Sequence, residues 1–341
     1  MTRPPYRGNT PIASEPMSMH RLVPILLLAA LAGCGPGTEE PTSTGGPSSD
    51  PTIAPAAREI TIGMSQCNLG EPWRVQMNKD IEEAAAVHPG LKLVMRDAQN
   101  RSETQQSQVR EFIQQQVSLL IISPKESRPL TRPVEEAMDA GIPVIVLDRK
   151  VEGDRYTCFI GADNVKIGRE AGKHLVKLLG GKGDIVELEG LMTSTPGQER
   201  HKGFIEGIKG SGVRVIFTAD CQWLEPNAQR EMKSALSAHA KIDAVYAHND
   251  PSAHGAYMAA RQEGKGREKQ IRFVGIDALP HEGVRYVTDG ILSATFQYPT
   301  GGKEAIETAL KILGGEKVEK NVTLGTRIFT GESVSAGGEA I

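Results

Sequence analysis

Short apolar runs rich in β-branched residues alternate with helix-like segments along most of the chain. The runs are typical of buried strands and lie at residues 60–64, 91–95, 119–122, 143–147, 185–188, 213–217, 244–246, 271–276 and 291–296. Between them apolar residues recur at helical spacing, as in 102–117, where Ser102 and Gln105 predict a capping-box start. Strand–helix alternation of this regularity predicts an α/β fold with doubly wound parallel sheets covered by helices on both faces.

Polar and aromatic residues are concentrated just after the predicted strands rather than within them. The residues of interest are Glu71, Trp73, Arg74, Asp148, Arg149, Arg200, Trp223, Asn249 and Asp277. Because ligands bind outside the carboxyl ends of parallel strands, we predict that these side chains form a polar pocket. A lone Asn or Asp after a strand is commonly a helix cap, and capping is the preferred interpretation for Asp163 and Asp250.

The residue types in this pocket match a neutral polyhydroxylated ligand. A sugar hydroxyl is both donor and acceptor, so a buried sugar needs carboxylate or amide oxygens together with guanidinium or amide nitrogens. The apolar face of a sugar ring also needs a flat aromatic surface, which Trp73 and Trp223 can supply. Three arginines balance three carboxylates among the candidates, so a neutral sugar fits better than an acid or a phosphate.

Composition excludes several classes of protein. The 341 residues are enough for two domains of ordinary size, and 39% of them are hydrophobic, which excludes a disordered or fibrous chain. The 39 Lys and Arg against 42 Asp and Glu give a formal net charge of -3, so no nucleic-acid partner is expected. Four cysteines exclude a disulfide scaffold, although a bridge between Cys67 and Cys221 stays open.

The N-terminal region indicates export across a membrane. An unbroken apolar run at 22–32 is far shorter than a membrane span and is typical of a signal peptide. The sequence L-A-G-C at 31–34 resembles the bacterial lipoprotein processing box, and the alternative is an ordinary thiol beside a generic cleavage site. We therefore predict a lipoprotein signal peptide at 1–33, lipidation of Cys34 and a flexible tether rich in Pro, Ser, Thr and Gly at 34–57.

Seven motifs, taken together and in order, resemble one family. They are Glu71-Pro72-Trp73-Arg74, Leu147-Asp148-Arg149, Gly161-Ala162-Asp163-Asn164, Val186-Glu187-Leu188-Glu189-Gly190, Glu199-Arg200-His201-Lys202-Gly203-Phe204, Tyr246-Ala247-His248-Asn249-Asp250 and Val274-Gly275-Ile276-Asp277. Their order and spacing resemble the periplasmic sugar-binding proteins of bacterial ABC importers, the group that contains the ribose- and galactofuranose-binding proteins. The resemblance covers about residues 59–328, and the Trp73-Arg74 pair is closer to the galactofuranose-type branch.

The resemblance implies the type I periplasmic binding protein fold, in which two doubly wound lobes are joined by a three-strand hinge. The N-terminal lobe is expected at 58–162 and 298–323, and the C-terminal lobe at 163–297 and 324–341. Crossings are expected near Ala162-Asp163, Gln297-Tyr298 and Thr323-Leu324. A ligand that contacts both lobes would favour the closed state, which a membrane permease would recognise.

The resemblance also implies roles for the site residues around a monosaccharide held between the lobes. Trp73 would stack on the sugar and Trp223 would close the opposite face. Hydrogen bonds would come from Asp148, Arg149, Arg200, Asn249, Asp277 and Gln297. Glu71 and Arg74 could contact the ligand or face each other.

The expected function is that of a lipid-anchored, monomeric solute-binding protein that delivers a neutral pentose or hexose to the permease subunits of an ABC importer. It would lie in the cell envelope, facing the periplasm or the exterior. An alternative is a sensor that presents a sugar or a furanose-like signal to a receptor. An enzyme is a remote alternative, because the sequence has no Gly-x-Ser-x-Gly elbow or Walker-type loop. No cofactor is expected, and no metal, since His248 and His254 lack a third ligand at closed-site spacing.

Overall fold

The computed structural model describes residues 59–341, where strands and helices alternate along the chain. The first elements are β1 (Ile60–Gln66), α1 (Pro72–Ala86), β2 (Leu91–Asp97), α2 (Ser102–Gln114), β3 (Leu119–Ser123), α3 (Ser127–Asp139), β4 (Val144–Leu147) and β5 (Cys158–Ala162). The next are α4 (Asn164–Leu178), β6 (Lys182–Glu189), α5 (Thr195–Ile208), β7 (Gly212–Asp220), α6 (Glu225–Ala238), β8 (Ala244–Ala247), α7 (Asp250–Gln262), β9 (Arg272–Asp277), α8 (Gly283–Thr288) and β10 (Ala294–Gln297). The last are α9 (Gly302–Leu313), β11 (Asn321–Leu324), β12 (Arg327–Thr330) and β13 (Glu339–Ala340). The predicted signal peptide, Cys34 and the tether lie outside the described residues.

Two separate sheets divide the described chain into two lobes. The first sheet has six parallel strands in the order β11-β5-β4-β3-β1-β2, and we call the lobe built on it the N-lobe. The second has seven strands in the order β13-β12-β10-β9-β8-β6-β7 and forms the C-lobe; its pairing is parallel except that β12 runs antiparallel to both β10 and β13. The predicted α/β fold with two parallel-sheet lobes is confirmed.

The chain passes between the two sheets three times. The connections run from β5 to α4, from β10 to α9, and from β11 to β12. In the first of them Asp163 caps α4, as predicted, because its Oδ1 accepts a hydrogen bond from Lys166 N at 2.9 Å. Short connections between two lobes are the arrangement in which a hinge motion opens and closes a cleft.

Apolar strands and close helix contacts form the interior of each lobe. Strands β3 and β4 are buried along their whole length, as expected for parallel strands covered on both faces. In the C-lobe, glycine lets α4 approach α5, since a Cβ on Gly168 would lie 2.2 Å from the carbonyl oxygen of Arg200. This contact fixes the position of α5, which carries Arg200 and His201.

Two predicted helix caps are wrong. Ser102 is the first residue of α2 rather than its cap, and its hydroxyl donates to a neighbouring glutamate. Gln105 donates to the backbone at the end of β3 instead of closing a capping box. Asp250 is likewise the first residue of α7, and the cap is Asn249.

Residues 59–341 contain three cysteines. Cys67, Cys158 and Cys221 are buried free thiols in this structure, so the bridge between Cys67 and Cys221 is not formed. None of the described helices is both long enough and apolar enough to cross a membrane.

Candidate functional site

A cavity between the lobes brings together nine of the ten predicted site residues. Its empty volume is about 270 Å³. Its walls are formed by Glu71, Trp73, Arg74, Asp148, Arg149, Pro196, Arg200, Trp223, Asn249, Asp277 and Tyr298. Gln297, the last residue of β10, is not part of this wall, and sequence analysis missed Pro196 and Tyr298.

Tyr298, rather than Gln297, reaches the cavity from the connection between β10 and α9. Its ring lies 5.4 Å from that of Trp73, and its carbonyl oxygen accepts a hydrogen bond from Trp73 Nε1 at 2.7 Å. Its hydroxyl donates to the carbonyl oxygen of Asp148 at 3.2 Å. Tyr298 directly follows a strand, so the rule that located the other residues could have identified it.

Arg74 is the centre of a buried polar network in the N-lobe. Its Nη2 donates to Asp148 Oδ2 at 2.9 Å, and its Nε lies 3.5 Å from Glu71 Oε1. Its Nη1 donates to Gln66 Oε1 at 3.1 Å and to Ser123 Oγ at 3.0 Å. Glu71 and Arg74 thus face each other and also line the cavity.

Trp223 connects the lobes through its ring. The guanidinium carbon of Arg149 lies 5.5 Å from the ring centroid, and that of Arg200 lies 5.3 Å from it. Cation–π contacts of this kind stabilise by roughly 0.5–2 kcal/mol each. The carbonyl oxygen of Trp223 accepts a hydrogen bond from Asn249 Nδ2 at 3.0 Å. The Oδ1 of Asn249 caps α7 by accepting a hydrogen bond from Ser252 N. Asn249 therefore serves as a cap and also lines the cavity.

Arg200 organises the C-lobe side of the cavity. Its Nε donates to Asn164 Oδ1 at 2.9 Å, and its Nη1 donates to the carbonyl oxygen of His248. Asp277 Oδ1 lies 3.8 Å from the same Nη1. The guanidinium is thus oriented by two neutral acceptors and one carboxylate.

Three residues of the cavity wall have a left-handed backbone. The φ angles are 67° at Asp148, 69° at Trp223 and 130° at Asp277. Positive φ is uncommon for residues other than glycine and costs about 1–3 kcal/mol, so it persists where the surrounding structure holds it. The backbone at these three positions is therefore held by the contacts around the cavity.

Direct contacts between the lobes flank the cavity. Lys150 Nζ lies 2.9 Å from Glu199 Oε1, and Lys150 N donates to Thr195 Oγ1 at 2.9 Å. Ser127 N donates to the carbonyl oxygen of Thr193 at 3.3 Å. Lys150 and Ser127 belong to the N-lobe and their partners to the C-lobe, so the structure shows the closed arrangement.

Buried carboxyl groups in the cavity wall and behind it have raised pKa values. Burial raises the pKa of Asp277 well above its ordinary range, although the charge of Arg200 opposes this effect. Burial likewise raises the pKa of Asp250, which accepts hydrogen bonds at 2.7 Å from both Ala278 N and Thr295 Oγ1. Burial raises the pKa of Glu282 to about 8.

Stability should depend on pH through Glu282. This carboxyl keeps its proton up to about pH 8 when folded, but releases it at about pH 4 when unfolded. The free energy of unfolding therefore falls as pH rises through this window. Between about pH 5 and pH 8 the free energy of unfolding should fall by roughly 2–4 kcal/mol more in the wild type than in Glu282→Gln. Chemical denaturation across this range measures the difference. Glu332→Gln, which changes an exposed carboxylate, is the control and should show the same dependence of the free energy of unfolding on pH as the wild type. The same pH dependence in wild type and Glu282→Gln would contradict the prediction.

One group of potential metal ligands occurs among the described residues, outside the cavity wall. It consists of Glu187, Glu189 and His201. His254, considered from the sequence, pairs instead with Glu225 at 2.7 Å.

Comparison with known proteins identifies the family. The model of the periplasmic binding protein domain matches residues 62–317. The ribose import binding protein RbsB of Bacillus subtilis (strain 168) is 34% identical over 275 residues, which cover 80% of this chain and 88% of that protein. The fructose-binding periplasmic domain of a hybrid two-component system is 43% identical with a TM-score of 0.79, covering 82% of this chain and 93% of that one. A protein from Mycobacterium smegmatis in complex with β-D-fucofuranose is 31% identical with a TM-score of 0.78, again covering 82% and 93%. The chain belongs to the type I periplasmic binding protein family.

Proposed function

We propose that this protein captures one neutral monosaccharide, a pentose or a hexose in pyranose or furanose form, in the cavity between its lobes. The composition of the cavity wall carries this proposal, since three guanidinium groups and three carboxylates line it together with two tryptophans and a tyrosine. A sugar ring needs donors, acceptors and flat apolar surfaces at once. The relatives named above support the ligand class, because they are a ribose import binding protein, a fructose-binding domain and a complex with β-D-fucofuranose.

The charge of the cavity narrows the ligand further. Every guanidinium has a carboxylate within 4.0 Å: Arg74 and Arg149 share Asp148 at 2.9 and 3.7 Å, and Arg200 has Asp277 at 3.8 Å. An anionic ligand would face these carboxylates in a water-poor site, whereas a neutral sugar adds hydrogen bonds without adding charge.

The proposed roles follow the position of each side chain on the wall. Trp73 stacks on the sugar ring, and Trp223 closes the opposite side. The hydroxyls are bound by Asp148, Arg149, Arg200, Asn249 and Asp277, with Glu71, Arg74 and Tyr298 beside them. We assign no ligand contact to Gln297, because it does not line the cavity.

Calorimetric titration against a panel of pentoses, hexoses, polyols, sugar acids and sugar phosphates tests the proposal. We expect saturable binding of one or a few neutral monosaccharides. Binding of a sugar acid or phosphate alone would contradict the charge argument, and binding of no member of the panel would contradict the sugar-binding function.

Lys150→Ala should weaken sugar binding without touching the cavity wall. The substitution removes the inter-lobe ion pair with Glu199, in which the side chains are 39% and 26% exposed. A pair of this exposure stabilises the closed state by up to about 1 kcal/mol, so affinity should fall roughly two- to five-fold. Lys79→Ala, which removes an exposed ion pair within α1, is the matched control. Equal affinities of wild type and Lys150→Ala would show that this contact does not support closure.

We further propose that the protein acts as a monomeric, lipid-anchored component of an ABC importer, facing the periplasm or the exterior. The L-A-G-C sequence at 31–34 and the tether after it support the anchor, and the ribose import relative supports the transport role. Cys34→Ala should release the protein from the membrane fraction or leave it unprocessed. Mature-size protein that still fractionates with membranes would contradict the anchor.

A sensor is the second candidate function. It is favoured by the 43% identity to a domain of a hybrid two-component system. Deleting the gene and following uptake of the radiolabelled sugar separates the two functions. Loss of uptake supports the importer, whereas normal uptake with loss of the transcriptional response to the sugar supports the sensor.

A further inference from the structure

A group of carboxylate and imidazole side chains lies in the C-lobe beside the sugar site. Glu187 and Glu189 are two residues apart in β6, so their side chains point to the same face of the sheet. Helix α5 brings His201 to that face, where its Nδ1 lies 3.0 Å from Glu187 Oε1 and 3.2 Å from Glu189 Oε1. One donor atom from each of the three residues can be chosen so that all lie within 4.8 Å of one another.

Two of the three separations between donor atoms match a tetrahedral metal site, and the third is at most 4.8 Å. With bonds of about 2.0–2.1 Å to nitrogen and oxygen ligands, neighbouring donors around Zn²⁺ are about 3.3 Å apart. The observed separations of 3.0 and 3.2 Å are close to that value, so small shifts would admit an ion. One imidazole and two carboxylates form a mixed donor set that suits Zn²⁺, whereas Ca²⁺ and Mg²⁺ prefer sites made of oxygen alone.

The surroundings of the group support a cation as well. Glu187 is fully buried, and its Oε1 contacts His248 Nε2 at 3.1 Å, which orients the carboxylate as partners of metal ligands commonly do. Glu189 is 11% exposed at its side chain, and within residues 59–341 its carboxylate has one basic partner within 4.0 Å, His201. His201 is 38% exposed, so an ion can reach the group from solvent. Glu187 has two imidazole neighbours, His201 and His248, whereas Glu189 shares only His201. A divalent cation between these two largely buried carboxylates would neutralise their negative charge.

We propose that Glu187, Glu189 and His201 bind one Zn²⁺ ion, with water in the fourth position. The ion would join β6 to α5, the helix on which Arg200 precedes His201 and lines the sugar cavity. The site is separate from the sugar ligand and does not depend on the proposed function. It differs from the sequence-based expectation of no metal because its ligands come from a strand and a helix that only folding brings together.

Titration of the untagged, chelator-treated protein with ZnCl₂ tests this proposal, with calorimetry and thermal unfolding as readouts. We expect one Zn²⁺ per chain, a melting temperature that rises with Zn²⁺ concentration, and no comparable effect of CaCl₂. His201→Gln and Glu189→Gln should each weaken binding at least about tenfold. His201 is 38% exposed and Glu189→Gln keeps the size of the side chain, so both variants should fold, which circular dichroism would check. His254→Gln removes another histidine–carboxylate pair, that with Glu225, and should bind Zn²⁺ like the wild type. Absence of saturable Zn²⁺ binding, a preference for Ca²⁺, or unchanged binding in His201→Gln would overturn the proposal and leave a hydrogen-bonded His–Glu group.

Discussion

Replacing Asp148 with alanine is expected to weaken sugar binding strongly and to destabilise the protein. The Asp148 carboxylate accepts a hydrogen bond from Arg74 Nη2 at 2.9 Å, and the two side chains are 4% and 3% exposed. Removing one partner of such a buried pair leaves an uncompensated charge and costs about 3–5 kcal/mol of stability. The φ of 67° at this position adds about 1 kcal/mol for alanine. Losing the carboxylate that orients Arg74 should weaken sugar binding about a hundredfold or more.

Calorimetry and urea denaturation of Asp148→Ala measure both effects. The matched control is Asp139→Ala, which removes an ion pair with Arg155 whose side chains are 63% and 53% exposed. That pair should contribute less than about 1 kcal/mol, and its loss should leave sugar binding unchanged. Wild-type affinity in Asp148→Ala would show that the buried network does not shape the site.

Gly190→Ala should weaken sugar binding by pushing the Trp223 ring into the cavity. A Cβ on Gly190 would lie 2.2–2.4 Å from three ring atoms of Trp223, a distance that real contacts do not reach. The indole must shift, and the open space beside it is the cavity that it lines. Overpacking of this kind costs about 1–3 kcal/mol, so we expect affinity to fall about 10- to 100-fold.

Gly331→Ala provides the comparison, because a Cβ there would meet no atom within 4 Å. It should bind sugar like the wild type. If Gly190→Ala also binds like the wild type, Trp223 does not border the ligand. Intrinsic fluorescence would show in parallel whether the environment of the tryptophans has changed.

The apolar strands could be predicted from the sequence, but the strands at the crossings could not. All nine predicted runs contain a strand, because buried parallel strands are continuous apolar runs. The strands missed were β5, β11, β12 and β13. Strand β5 is apolar and buried but is interrupted by Gly161, whereas β11, β12 and β13 are short and mix apolar with polar residues at or next to the sheet edges. The apolar content of these last three is too small to distinguish them from loops, and tertiary pairing decides their structure.

The cavity wall could be predicted largely because parallel strands place the residues that follow them at one edge. Tyr298 was not predicted although it directly follows β10, because the resemblance assigned the ligand contact in this segment to Gln297. What the sequence could not show is which charges pair, because that depends on side-chain positions across two lobes. The sharing of Asp148 by Arg74 and Arg149 is an example.

The central claim, that the cavity prefers a neutral sugar, is tested most directly by comparing one neutral sugar with the sugar acid derived from it. The neutral monosaccharide that binds best would be titrated calorimetrically beside the derivative in which its terminal CH₂OH is oxidised to a carboxylate. The balanced cavity, with a carboxylate within 4.0 Å of each guanidinium, predicts that the neutral sugar binds at least about a hundredfold more tightly, since burying an unpaired carboxylate costs several kcal/mol. Equal or tighter binding of the acid would contradict the account.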